Sequence, residues 1–218
     1  MTQQISTIRM ILSTKNQMIE LGLRGLGGIL GLGTLAYAII NSLLAQRQPT
    51  GQQTGAARQV LRTPYLIIAS VLFLLLAYVL WIPLPLQLPK NLILGLSAIG
   101  TMILLPSLGL YVWGLRSLGR NFNASSGFGV RLHQGHRLVT SGPYQYIRHP
   151  MYLAVILACW GGLLLYLTWT MVIFAFMMCG LFYRGSKEEE ALAQAFGSEW
   201  EEYKSKVPGW LPGSKRHR

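Results

Sequence analysis

Long apolar runs separated by short polar connections set the pattern of this chain. Residues 25–45 (GLGGILGLGTLAYAIINSLLA), 64–82 (PYLIIASVLFLLLAYVLWI) and 91–112 (NLILGLSAIGTMILLPSLGLYV) each supply the roughly 20 mostly apolar positions that a helix needs to cross a bilayer. The run from Pro150 to Tyr183 is too long for one crossing: at ~1.5 Å per residue it would reach about 50 Å, against a hydrocarbon core of about 30 Å. It is predicted to fold as a hairpin that turns between Gly161 and Thr170. The expected fold is therefore all-α, a multi-pass transmembrane helical protein of about five spans. Residues 1–112 carry the N-terminal segment and three transmembrane helices, and residues 113–218 carry a loop, the hairpin and a C-terminal helix.

The flanks are amphipathic rather than apolar. The first twenty residues scatter Arg9, Lys15 and Glu20 among Ile, Met and Leu, without an apolar core ending in a small-residue cleavage site. A short surface helix is expected there, not a cleavable signal peptide. Residues 186–205 read as an amphipathic helix on the membrane surface, with Leu192 and Phe196 on one face and Lys204 and Lys206 toward lipid head groups.

Composition agrees with a membrane protein. Charged residues make up 12% of the chain and hydrophobic ones 51%, with a mean hydropathy of +0.38, where a soluble domain carries about 25% charged residues. The net charge of +12 could attract nucleic acid, but the basic residues fall between apolar segments rather than along one polar face, which argues against that partner. With five spans, one face receives three Lys and Arg from residues 46–63, five from 113–149 and seven from Arg184 onward, while the other receives Arg9, Lys15, Arg24 and Lys90. Positive charge favours the cytosolic side, so the long loop and the tail are expected there and the N-terminus outside. The location this implies is a bacterial inner membrane, with the basic face toward the cytosol. Cys159 and Cys179 sit inside apolar runs and have no metal-ligand spacing, so they read as small buried hydrophobes, and no metal is expected.

Two sequence features invite chemistry, and one is a decoy. Gly31, Gly33 and Ala36 spell GxGxxA, but that fingerprint needs a strand-to-helix turn, which an apolar span is not. Gly27 and Gly31 instead make a GxxxG suited to close helix packing. The second feature is SGPYQYIRHPMYLA, residues 141–154, at the mouth of the last apolar run. Proline fits the first turn of a helix and pushes the preceding residue out of helical conformation, so Pro150 should start span four with His149 at its cap. The hairpin returns the chain to the same face at Arg184, followed by RGSKEEEALAQAFGSEWEEYKSKVPGWLP. Glu188 and Glu189 follow Arg184 by about one helical turn, so carboxylates and a guanidinium should share a face beside the histidine. A basic surface anchor and a solvated acidic helix would account for either cluster alone.

Taken together, HRLVTSGPYQYIRHPMY (136–152), the upstream GRNFN (119–123) and Arg184-x-x-x-Glu188-Glu189 running on to Leu192, Phe196-Gly197, Glu199, Tyr203 and Val207-Pro208 resemble the isoprenylcysteine carboxyl methyltransferase and phospholipid methyltransferase family of integral membrane enzymes. The resemblance implies methyl transfer from S-adenosyl-L-methionine to a lipid-like or prenylated small-molecule acceptor, of which an isoprenylcysteine carboxylate is the foremost. It implies that residues 113–218 form a catalytic cofactor-binding region whose active site faces the cytosol, with a cofactor site lined by His136, Arg137, Leu138, Val139, Tyr144, His149, Pro150, Met151 and Tyr152, Glu188 as a cofactor-binding carboxylate and Arg184 beside the substrate. His149 and Glu189 are the candidates for a base where the acceptor must lose a proton. Trp200 stands where the family often has Tyr, and the loop between Asn123 and His136 differs in length from that of the eukaryotic carboxyl methyltransferases.

The residue types suit such a cofactor on their own account. A sulfonium calls for aromatic faces or a carboxylate, and an α-carboxylate for N–H donors. Tyr144, Tyr152, Glu188 and the start of span four provide them. Two other readings stay open: a nicotinamide-dependent sterol or enone reductase, and a non-enzymatic scaffold or transporter. Related reductases carry RDExxC before KYG, where this chain has RGSKEEEAL before FG, which favours the methyltransferase. A transport path calls for charge pairs in mid-span, and these spans hold none. The acceptor and the oligomeric state stay undetermined by sequence.

Overall fold

A computed structural model describes residues 2–45, 50–53, 71–72, 74–119, 131–133 and 138–213. Among these residues the fold is helical except for one small ribbon, and three helical stretches, Met10–Asn41, Lys90–Leu118 and Trp169–Phe196, are long and apolar enough to cross a membrane, with the shorter apolar Pro150–Tyr166 beside them. The first helix, α1, runs unbroken over Thr2–Ala45. The N-terminal residues expected as a separate surface helix are thus the first turns of span one; their Gln, Ile, Met and Leu are adequate helix formers and no proline divides them from it. A 44-residue helix is about 66 Å long, so part of α1 must stand beyond the hydrocarbon. The second predicted span, 64–82, lies partly outside the described residues, which are helical over 74–79.

Two short strands, β1 (Thr50–Gln53) and β2 (Arg131–His133), pair antiparallel with Thr50 opposite His133. They join the loop after α1 to the loop before the RHP segment, two stretches that the charge pattern assigns to one face. After α2 (Lys90–Leu118) and a 3₁₀ turn (Gly142–Gln145) comes the predicted hairpin, α3 (Pro150–Tyr166) and α4 (Trp169–Met178). Its turn falls at Leu167, in the left-handed region at φ 52 and ψ 50. Thr168 caps α4 by accepting from the Met171 N–H at 3.4 Å. The loop at residues 80–84 is laced to this turn: Leu84 N–H donates to the Leu167 carbonyl at 2.8 Å and Trp169 N–H to that of Ile82 at 3.1 Å.

The bundle closes on glycines. In the antiparallel α2–α3 pair a Cβ placed on Gly100 would lie 2.6 Å from both the Gly161 carbonyl oxygen and the Leu165 nitrogen, so any side chain there would drive the helices apart. Ser97, Thr101, Leu104 and Ser107 complete the buried stripe of α2. α1 runs parallel to α2, with Lys90 Nζ donating to Ser13 Oγ at 3.0 Å at one level and Gly27 meeting Leu104 and Leu165 at another. The GxxxG motif acts through Gly27 alone, since a Cβ on Gly31 would meet nothing within 4 Å.

The apolar part of the last arm ends at Tyr183, and the polar continuation belongs to α5 (Leu181–Phe196) and α6 (Ser198–Lys206). The tail expected as one helix over 186–205 breaks at Gly197, whose φ of 50 is a conformation glycine adopts readily. The bend folds α6 back, so that Leu192 and Phe196 pack on Trp200, Tyr203 and Val207 rather than on lipid. One end of the bundle therefore gathers residues 141–149 and the tail, and the other gathers Arg24, Lys90 and the Leu167 turn.

Candidate active site

The approach to α3 is shaped by its small residues. Gly142, at φ 65, lies so close to Ser117 and Trp113 that a side chain would collide with them. Pro143 opens the 3₁₀ turn and buries Tyr144, whose hydroxyl lies over Gly114. Pro150 then starts α3, with His149 outside the helix at φ −119 and ψ 53. The His149 side chain does not cap that helix. It turns toward the tail and is 5% exposed.

There it enters a clasp centred on Glu189. His149 Nε2–H donates to Glu189 Oε1 at 2.9 Å, and Arg148 reaches the same oxygen with Nε at 3.0 Å and Nη2 at 2.9 Å. The remaining arm of the guanidinium, Nη1, donates to the carbonyls of Lys204 at 3.0 Å and Val207 at 2.9 Å. Backbone groups repeat the connection: Arg148 N–H donates to the Pro208 carbonyl at 2.9 Å and His149 N–H to that of Gly209 at 3.1 Å. Burial opposes the charge on Glu189, but the hydrogen bonds from His149 and Arg148 outweigh it and hold the carboxyl below its ordinary range. Tyr203 fastens the tail a second time, donating to the Tyr144 carbonyl at 2.7 Å. Burial pushes the Tyr203 phenol up to about 12, so it stays protonated as a donor.

Aromatic rings line the space beside the clasp. The His149 ring stacks on Tyr152 at 5.8 Å and 10°, and Trp210 covers its other side at 4.9 Å. Trp210 fits because position 185 is glycine: a Cβ there would lie 2.9 Å from Trp210 Cζ2 and 3.4 Å from His149 Cε1. Arg184 Nε donates to the Tyr152 hydroxyl at 2.8 Å and its guanidinium lies over the Tyr152 ring at 5.7 Å. Glu188 lies beside the Tyr144 and Tyr152 phenols; burial first and then its negative charge raise Tyr144 well above the usual tyrosine value.

The structure thus brings Tyr144, His149, Pro150, Met151, Tyr152, Arg184, Glu188 and Glu189 to one end of the bundle. Leu138 and Val139 are half-buried, Leu138 against the Trp200 cluster, and Met151 packs on Gly114 of α2. His136 and Arg137 lie outside the described residues. Arg148, Trp210 and the carbonyls of 207–209 were not among the predicted site residues. Arg148 had a signal, its place in the motif, but the others show only in three dimensions. Trp200 is 1% exposed and its Nε1 has no hydrogen-bond partner among the described residues, so the indole serves the cluster as apolar bulk and as the face beneath Arg148 at 5.9 Å.

Residues 98–194 match the model of the isoprenylcysteine carboxyl methyltransferase (ICMT) family, the family that the motifs resemble. The chain is 32% identical over 82 residues to a protein-S-isoprenylcysteine O-methyltransferase of Schizosaccharomyces pombe, covering 37% of this chain and 35% of that protein. It is 36% identical over 87 residues to the Homo sapiens protein of the same name, covering 35% of this chain and 28% of that protein. The chain thus spans about a third of the length of the curated relatives it matches. Among solved structures it is similar to the eukaryotic intramembrane Ras methyltransferase ICMT, with a TM-score of 0.47, 20% identity, and coverage of 73% of this chain and 56% of that one.

Proposed function

We propose that this chain is an integral membrane methyltransferase that uses S-adenosyl-L-methionine to methylate the carboxylate of an isoprenylcysteine-type acceptor at the clasped end of its bundle. The observation that carries the proposal is the meeting of the 144–152 segment with residues 184–210, two stretches about forty residues apart, around paired phenols, a carboxylate and a guanidinium.

The residues fit the cofactor. Glu188 beside Tyr144 and Tyr152 offers a carboxylate and two ring faces to a sulfonium. The start of α3, where Pro150 leaves the following N–H groups without helical acceptors, suits an α-carboxylate. When bound, the cofactor supplies a methyl group already activated by its sulfonium leaving group. The protein's share is positioning. Arg184, oriented by Tyr152, is the cation that pairs with the acceptor carboxylate. His149 and Glu189 are held by each other and by Arg148, and a carboxylate acceptor needs no base. They are assigned here as positioning residues that keep the tail on the site. The acceptor, being lipid-like, enters laterally from the bilayer, on whose cytosolic side the basic face lies.

Calorimetry of the detergent-purified protein tests this. S-adenosylmethionine or S-adenosylhomocysteine should bind and NADPH should not. Glu188→Gln should weaken cofactor binding by about tenfold, roughly 1.4 kcal/mol, because a charge-assisted contact is lost. Binding of NADPH with no response to S-adenosylhomocysteine would replace the methyltransferase with a reductase.

A further inference from the structure

One cavity stands away from the clasp. It lies at the opposite end of the bundle, with a volume of about 440 Å³, between α1, the loop before α2 and the Leu167 turn. Its polar wall is one ion pair: Arg24 Nη2 meets Glu20 Oε1 at 2.9 Å across a helical turn of α1. Arg24 Nε also donates to the Leu165 carbonyl at 3.1 Å, which fixes the guanidinium at the cavity edge. A guanidinium carries five N–H donors, so Arg24 keeps others to offer. Tyr166 donates its hydroxyl to the Arg24 carbonyl at 2.8 Å, and its ring packs against Trp81 at 5.3 Å. Leu84 and Leu88 make the apolar side.

This end carries the marks of a membrane interface, with exposed Trp81 packed on Tyr166 at the hairpin turn. A cavity there opens toward lipid head groups, and the side chains that face it define what fits. Arg24 suits a phosphate and repels a cation; Glu20 suits an ammonium and repels a purely anionic head group. The two charges stand side by side in one wall, so the complement is a ligand with anion and cation a few bonds apart and an apolar body behind them. The length of α3, 17 residues or about 25 Å, separates this place from His149, so it is not the site of methyl transfer.

We propose that this cavity binds one phospholipid with a zwitterionic aminoethyl head group, its phosphate on Arg24, its ammonium on Glu20 beside the packed Trp81 and Tyr166 rings, and its acyl chain against Leu84 and Leu88.

Native mass spectrometry of the protein released from bicelles holding equal amounts of phosphatidylethanolamine, phosphatidylglycerol and phosphatidylcholine tests it. The parent protein should retain one lipid, phosphatidylethanolamine, enriched about tenfold over phosphatidylglycerol, the size of one lost charge-assisted contact. Arg24→Gln should lose retention. Because Arg24 also braces Leu165, that variant could fail by unfolding, so Glu20→Gln carries the second arm: it should still retain a lipid but shift the preference toward phosphatidylglycerol. Retention without head-group preference in the parent, or a preference unchanged by Glu20→Gln, would overturn the proposal.

Discussion

The molecule holds two arginine–glutamate pairs of equal length and unequal meaning. Arg24 and Glu20 meet at 2.9 Å within one helix, with 34% and 24% of their side chains exposed. Arg148 and Glu189 meet at 2.9 Å between segments 41 residues apart, with 13% and 17% exposed. The first needs nothing but helical spacing, since residues four apart are neighbours wherever a helix forms. The second exists only if the hairpin has closed and the tail has bent back. Water screens the first on one side, whereas the second is surrounded by donors and carbonyls that replace water. Energetic weight should therefore sit at the clasp, and four measurements test that inequality.

The largest effect should come from Arg148→Ala. It strips Glu189 of two donors and leaves the carbonyls of Lys204 and Val207 without their partner, and removing one member of a buried pair costs about 3 kcal/mol. Thermal melts in detergent should fall, and the tail should become sensitive to protease while the hairpin stays protected. Gly185→Val comes next. Its side chain would occupy the place of Trp210 against His149, an overpacking worth about 1–3 kcal/mol; quenching of tryptophan fluorescence by an aqueous quencher should rise as Trp210 leaves.

Acid should open the clasp more gently. The carboxyl of Glu189 lies below its ordinary value of 4.5 in the folded state, so its contribution is complete above that pH and is lost as pH falls through the lower folded value. Protease resistance of the tail should hold from neutrality to about pH 4.5 and weaken below it, and Glu189→Gln should remove that acid dependence. Smallest of all, Glu20→Ala should change stability by about 0.3–0.5 kcal/mol, the worth of a helical i,i+4 pair. A melt as depressed as that of Arg148→Ala would erase the distinction between the two pairs.

The same contrast separates what was legible in the sequence from what was not. Periodicity and length exposed the hairpin and bounded its turn, which falls at Leu167 inside the predicted interval. They exposed the amphipathic tail but not its break, because Gly197 would be tolerated within a helix and only the packing of α6 onto Leu192 and Phe196 selects the bend. Glycine packing was half visible: GxxxG drew attention to α1, while the closest approach lies at Gly100 and Gly161, whose pairing depends on the relative slide of two helices. The run Glu188-Glu189-Glu190 shows the limit best. Successive residues on a helix differ by about 100° in direction, so Glu188 faces the phenols, Glu189 the clasp, and Glu190 a pair with Lys187 at 2.9 Å in solvent. The sequence presents three equal carboxylates, and only the phase of α5 against α3 gives each its neighbour.

The clasp also fixes an order of events during synthesis. Arg148 and His149 are made some sixty residues before the Pro208 and Gly209 carbonyls that receive their N–H groups, and both arms of the hairpin lie between. A chain growing from its N-terminus must place α3 and α4 in the membrane while the basic pair still lacks its acceptors. Assembly of the clasped end can finish only after Gly209 has left the ribosome, so a newly inserted chain passes through a stage in which its bundle is built and its clasp is still open.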